Sequence, residues 1–147
     1  MYKTILVPLD GSRRAEKILP HVEAIAQKFG AKLILLQVIE PVASEISPTR
    51  IAPYYDKTLV ERWREEAKGY LAGVQGELQA KGIATKTVIE TGPVLPSLLL
   101  VAAREKVDLV ALASHGRTGL ARAFYGSVAA GLLNQTNWPL LLVRARD

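Results

Sequence analysis

The sequence predicts a doubly wound α/β fold: a five-stranded parallel sheet with helices on both faces. Three observations carry this. Five short apolar runs punctuate the 147 residues: TILVPL (4–9), KLILLQVI (32–39), TKTVIE (85–90), DLVALA (108–113) and PLLLVR (139–144). Most are nearly continuous in Val, Leu and Ile rather than alternating, which is the pattern of strands covered on both faces. The stretches between them carry helical periodicity, so the order reads β-α-β-α-β-α-β-α-β.

Each helix has its own signals. Between Ser12 and Phe29 the apolar residues Ile18, Leu19, Val22, Ile25, Ala26 and Phe29 recur at helical spacing. Ser12 reads as the N-cap and Gly30 as the stop. Pro20 lies in the interior and predicts a kink or a lost hydrogen bond. The longest helix spans about Asp56 to Ala80, with Leu59, Trp63, Ala67, Leu71, Val74 and Leu78 on one face. Gly69, Gly73 and Gly76 weaken it intrinsically, and close packing is the favoured reason for them over flexibility. A third helix runs from about Leu95 to Glu105, opened by GPVLP. A fourth starts near Gly126 or Ser127 and ends near Asn134. The connection 40–57 holds three prolines and reads as a mobile loop near the sheet's carboxyl edge, where ligands bind in such folds. No domain boundary, repeat or low-complexity segment divides the chain, so residues 1–147 form one domain.

Composition excludes several chemistries. Hydrophobic residues make up 49%, too many for a disordered chain, and no apolar run approaches the roughly 20 residues that span a bilayer. The start lacks a signal-peptide layout, and a cytoplasmic protein is the expectation. With no cysteine there is no disulfide, thiol catalysis or cysteine-held metal. The two histidines, His21 and His115, are far apart and no HExxH pattern exists, which argues against a histidine-rich metal site. His21 reads as a helix-surface residue. Trp63 and Trp138 read as packing or interface residues. The formal net charge of +5 raises nucleic acid as a partner, but no recognised nucleic-acid motif accompanies it, and acids and bases alternate along most of the chain.

Two segments at strand ends carry the chemistry: VPLDGS, with Asp10 at its tip, and ASHGRTGLARAFYGSV (113–128). If strands one and four are neighbours, both face one crevice. Glycines at 116, 119 and 126 let backbone amides approach a ligand, and a helix starting at Gly126–Ser127 presents free amides and a positive dipole end. The Ser127 hydroxyl and the Arg117 or Arg122 guanidinium suit a phosphate. Asp10, an acceptor, suits a ribose hydroxyl, an adenine amino group or a metal. The plainer alternative stands beside this on equal terms: Gly116 and Gly119 make turns, while Ser127 and Asp10 cap helices. There is no GxxxxGK[ST] and no GxGxxG after the first strand, so the chain is neither a P-loop protein nor a dinucleotide-binding Rossmann domain of the usual kind.

ILVPLDGS at the start, GSV at 126–128 and the closing WPLLLVR together resemble the universal stress protein family over essentially the whole chain. The ATP-binding branch of that family carries G-x2-G-x9-G-[ST]. Here the second glycine matches Gly116, the third Gly126 and the closing serine Ser127, with nine residues from Arg117 to Tyr125 between the glycines. The first glycine falls on Ala113, a departure with two readings: it is tolerated if the backbone there is ordinary β, because only positive φ demands glycine, or it weakens binding. The resemblance implies strand order 3-2-1-4-5 and a homodimer paired through the last strand. It places Pro8 and Asp10 by the nucleoside, Val38 on the adenine, and Leu112 and Ala113 along base and ribose. It places Gly116 and Arg117 near the phosphates, with Gly126, Ser127 and Val128 cradling them. His115, inside the motif, is a contact residue. As a general base it lacks a carboxylate to orient it. Mg2+ or Mn2+ would bridge phosphate oxygens, with no dedicated protein cage.

The function expected is that of an ATP-binding stress-response regulator with little or no turnover, acting on an unidentified protein partner. The alternatives are a nucleotide-independent dimeric interaction module and a slow ATP hydrolase. A phosphoacceptor receiver domain is rejected, because it wants an acidic pair after strand one, where Asp10 stands alone.

Overall fold

A computed structural model describes residues 1–41, 57–113 and 128–145. The strands are β1 Thr4–Pro8, β2 Lys32–Ile39, β3 Thr85–Thr91, β4 Leu109–Ala113 and β5 Leu140–Val143, and the helices are α1 Leu19–Phe29, α2 Lys57–Ala80, α3 Val94–Arg104 and α4 Ala130–Gln135. All strand pairs are parallel, in the order β3-β2-β1-β4-β5. The chain therefore starts at the centre, works outward through β2 and β3, and crosses back over β1 to lay down β4 and β5. The expected fold and strand order are both found.

Alternation along each strand divides the interior into two layers. Ile5, Val7, Leu33, Leu35, Leu109 and Ala111 pack with Ile18 and Val22, ahead of and within α1, and with Leu71, Val74 and Leu78 of α2. Leu6, Ile34, Leu36, Val110 and Leu112 pack on the other face with Leu98, Val101 and Ala102 of α3 and Leu132 of α4. Each fully buried Leu or Ile contributes about 1.5–3 kcal/mol, so both layers are substantial. Trp138, expected as a packing or interface residue, packs half-buried against the second layer. His21 is exposed on α1, as expected.

The predicted helix 12–29 is not continuous. Ala15–Ile18 is a 3₁₀ turn and α1 begins at Leu19. Pro20 thus lies in the first turn of α1, where an amide would have no helical partner, and it costs little. Gly30 ends the helix at φ 66°, in the left-handed region, and the Ala31 amide donates back to the Ala26 carbonyl at 3.0 Å. The close packing expected of Gly69, Gly73 and Gly76 is absent: a Cβ added at any of them meets nothing within 4 Å. They lie on the exposed side of α2, opposite its buried Ala67, Leu71, Val74 and Leu78. Spacing alone did not reveal which side of the helix they occupy.

Close packing is found instead at Gly131 in α4. A Cβ there would lie 2.3 Å from Leu95 Cδ2, so α3 and α4 approach closely where both begin. The expected start of the fourth helix at Gly126–Ser127 and residues 42–56 of the expected 40–57 loop lie outside the described residues.

Candidate functional site

The ladder between β1 and β2 ends where the Leu9 amide donates to the Leu36 carbonyl at 2.8 Å. The chain then turns sharply through Asp10, Gly11 and Ser12. Gly11 sits at φ 85°, a conformation costly for any residue with a Cβ. Asp10 Oδ1 accepts the Ser12 amide at 2.9 Å, and Ser12 Oγ accepts the Ala15 amide at 3.1 Å. These are a side-chain turn and a cap. Asp10 thus shapes the turn rather than capping a helix, the role the plainer reading expected of it. Ser12 caps as expected, although it caps the 3₁₀ turn rather than a continuous α-helix.

One residue further, the Tyr70 hydroxyl of α2 donates to Glu16 Oε2 at 2.7 Å. Burial and the Glu16 carboxylate, with smaller contributions from Asp10 and Glu77, push the Tyr70 phenol well above the ordinary tyrosine range. It therefore remains a neutral donor.

Because β1 has β2 on one side and β4 on the other, the crossovers leaving it diverge and open a crevice at the carboxyl edge. Pro8, Asp10, Val38, Leu112, Ala113 and Val128, expected together from the sequence, all line this one pocket. His115, Gly116, Arg117, Gly126 and Ser127 lie outside the described residues. Leu9, Ala15, Leu36, Val94 and Leu98 also line the pocket and were not expected. One of these had a signal. Leu36 precedes Val38 by two and so shares its face of β2. Val94 and Leu98 are spaced i, i+4 in the helix that follows β3, but nothing local says which strand end that helix reaches.

The described wall is apolar apart from one ionisable side chain, Asp10. It also offers main-chain groups. In a parallel ladder alternate residues bond to alternate neighbours. Ile39 bonds outward, accepting the Gly92 amide at 2.9 Å, while Leu36 bonds inward to Leu9. Val38 shares Leu36's parity, so its N–H and C=O face the gap beyond the end of β1. An apolar slot with a paired donor and acceptor at one edge and a carboxylate at another suits a flat heterocycle joined to a hydroxylated group.

Ala113 closes β4, pairs with Val143 and is 4% exposed. Among the described residues only Lys106 has positive φ without being glycine. The alanine thus sits in backbone that accepts a side chain. Its methyl occupies pocket space without straining the strand.

A second cavity of about 430 Å3 opens beside Pro41, Lys57, Val60, Glu61, Thr91 and Gly92, and holds none of the expected residues. Among the described residues no three His, Asp or Glu side chains stand together as a metal site. No described helix is long and apolar enough to cross a membrane.

A family model described as the universal stress protein family matches residues 1–144. The chain is similar to universal stress protein MJ0577 of Methanocaldococcus jannaschii, 29% identical over an alignment 158 positions long that covers 100% of this chain and 98% of that one. A solved structure of MJ0577 superposes with a TM-score of 0.84 at 33% identity, covering 100% of this chain and 99% of the other. A universal stress protein in complex with cAMP superposes at 0.68 with 20% identity, covering 99% and 98%. A family protein from Arabidopsis thaliana with AMP bound also gives 0.68, at 15% identity, covering 98% and 92%. The last two likenesses are of fold.

Proposed function

This chain belongs to the universal stress protein family, and from that premise we propose that it is an adenine-nucleotide-binding regulatory protein. ATP is held at the carboxyl edge of the sheet, between β1 and β4, with little or no turnover. The observation that carries the reading is the convergence of Pro8, Asp10, Val38, Leu112, Ala113 and Val128, from four separate parts of the chain, on one pocket. The fold neighbours bound to cAMP and AMP agree with it, but this chain's own residues support it.

The chemistry assigns the parts of the ligand. Adenine lies against Val38 and Leu112, with its amino group and ring nitrogen matched to the Val38 carbonyl and amide. The Asp10 carboxylate accepts from a ribose hydroxyl and disfavours a phosphate beside it. The phosphates are then directed toward Val128 and the segment before it, where Gly116, Arg117, Gly126 and Ser127 of the motif belong and His115 is a contact. A divalent cation, Mg2+ or Mn2+, would travel on the phosphates and neutralise them.

Binding rather than turnover is favoured because Asp10 is the single ionisable side chain on the described wall, and one already engaged in its own turn. The same reading takes residues 1–147 as one domain of a cytoplasmic homodimer joined through β5. That edge strand presents Leu140, Leu141, Leu142 and Val143 half-buried, an apolar edge of the kind that pairing covers.

Calorimetric titration of ATP with Mg2+ into nucleotide-stripped protein, with AMP and GTP as comparators, tests the site. Micromolar, adenine-selective binding is expected, and no heat together with no thermal shift rejects it. Sedimentation equilibrium should give twice the chain mass of 16.0 kDa, and a monomer at every concentration rejects the β5 pairing.

A further inference from the structure

We propose that Tyr70 and Glu16 form a positioning pair for this pocket, tying the Asp10–Ala15 turn to α2 and thereby setting where the Asp10 carboxylate points. The proposal rests on the nucleotide reading above and names residues that the family motif does not include.

The turn needs such a tie. After Leu9 the chain leaves the sheet, and both Asp10 and Ala15 line the pocket before α1 begins. Between them lies one residue of left-handed backbone, Gly11, and at Ala15 the chain enters a 3₁₀ turn capped by Ser12. Short 3₁₀ turns are weak by themselves. The Asp10–Ser12 and Ser12–Ala15 bonds hold the turn internally but not to the rest of the protein. Packing of Ala15 and Ile18 into the first core layer holds the end of the turn to the sheet, and Glu16 adds a polar tie to α2 by accepting the Tyr70 hydroxyl at 2.7 Å across 54 residues of sequence.

The anchor is rigid. Tyr70 packs against the first core layer, next to fully buried Leu71, on a helix whose inner face is in the core. A tyrosine is also the appropriate donor. It stays neutral among Glu16, Asp10 and Glu77, so it orients Glu16 without offering Asp10 a competing positive charge. A lysine at this position would draw both carboxylates toward itself.

The test compares wild type, Tyr70→Phe, Glu16→Ala, the double variant and Glu16→Gln, each checked for folding by circular dichroism. Two ligands are titrated with Mg2+: ATP, and dideoxyadenosine triphosphate, which lacks both ribose hydroxyls. Each single loss should weaken ATP by about fivefold, the scale of one net hydrogen bond. The double variant should lose no more than either single one, because both remove the same tie. Glu16→Gln, still an acceptor, should bind like wild type. The dideoxy nucleotide should bind all five proteins alike.

Additive losses, equal losses on both nucleotides, or unchanged ATP affinity would overturn the proposal. If wild type binds neither nucleotide, the pocket reading fails and the positioning role falls with it. Ultraviolet titration of the phenols then separates the two failures: a tyrosine that resists ionisation in wild type and disappears in Tyr70→Phe shows that the tie exists but serves no nucleotide.

Discussion

The Leu9 amide and the Leu36 carbonyl, 2.8 Å apart, form the last rung between the first two strands. Pro8, Leu9 and Leu36 at this rung line the pocket, as do Asp10, one residue beyond Leu9, and Val38, two beyond Leu36. Site and scaffold therefore meet at this rung, and substitutions near it should separate into those that change binding and those that change stability.

Asp10→Asn belongs to the first group. The amide oxygen still accepts from the Ser12 amide and keeps the turn, while the charge that a ribose hydroxyl would meet is gone. ATP affinity should fall about fivefold to tenfold, with the thermal midpoint nearly unchanged. Calorimetry and a melting curve on the same sample check this, and undiminished affinity would leave Asp10 as a turn residue only.

Ala113→Gly trades the two properties. Removing the methyl enlarges the pocket, so affinity should stay equal or improve. Glycine at the end of β4 should lower stability by about 0.5–1 kcal/mol. Chemical denaturation reports the second effect and titration the first. A large loss of affinity would show that the pocket prefers the methyl.

Gly131→Ala acts away from the pocket. The added methyl would meet Leu95 Cδ2 at 2.3 Å, and the leucine must swing aside in a packed layer. Overpacking of this kind costs about 1–3 kcal/mol, against about 1 kcal/mol regained from helix propensity. A net loss in urea unfolding is expected, and a gain would mean that Leu95 relaxes freely.

Acid should expose a different contact. The Lys86 ammonium bonds the Glu105 carboxylate between β3 and the end of α3, and holds it below the ordinary carboxylate range. A carboxyl group with a depressed folded-state value stabilises above its unfolded value, and that contribution is lost as pH falls through the folded one. Glu105→Gln should therefore lower stability at neutral pH and make it less sensitive to pH in the acid range. Parallel loss at every pH from neutral to strongly acidic would assign the effect to packing.

The strands were legible because apolar runs continuous in Val, Leu and Ile leave few other structures open to them. Even β1, with Pro8 at its end, was placed to within one residue. Local signals were weaker where tertiary context decides. Pro20 indicated a kink or lost hydrogen bond within one helix, not a 3₁₀ turn joined to a fresh helix start. The glycines of α2 gave a spacing without a side. On the site, strand ends were readable because the fold places them at one edge. The α3 wall was not, since Val94 and Leu98 look like any apolar helix face until the sheet order fixes their neighbour. Tyr70 and Glu16 could not be joined from sequence at all. No periodicity links a helix residue to a turn so far away.

The pocket shares more of its wall with one interior layer than with the other: Leu36, Leu98, Leu112 and Val128 belong to the second layer, Leu9 and Ala15 to the first. A bound base would then act as a removable side chain that adds more to one layer than to the other. Occupancy would be felt unevenly, slowing amide exchange along α3 far more than along α2. The protein would carry its ligand signal as a difference in stiffness between its two faces, available to any partner that grips one of them.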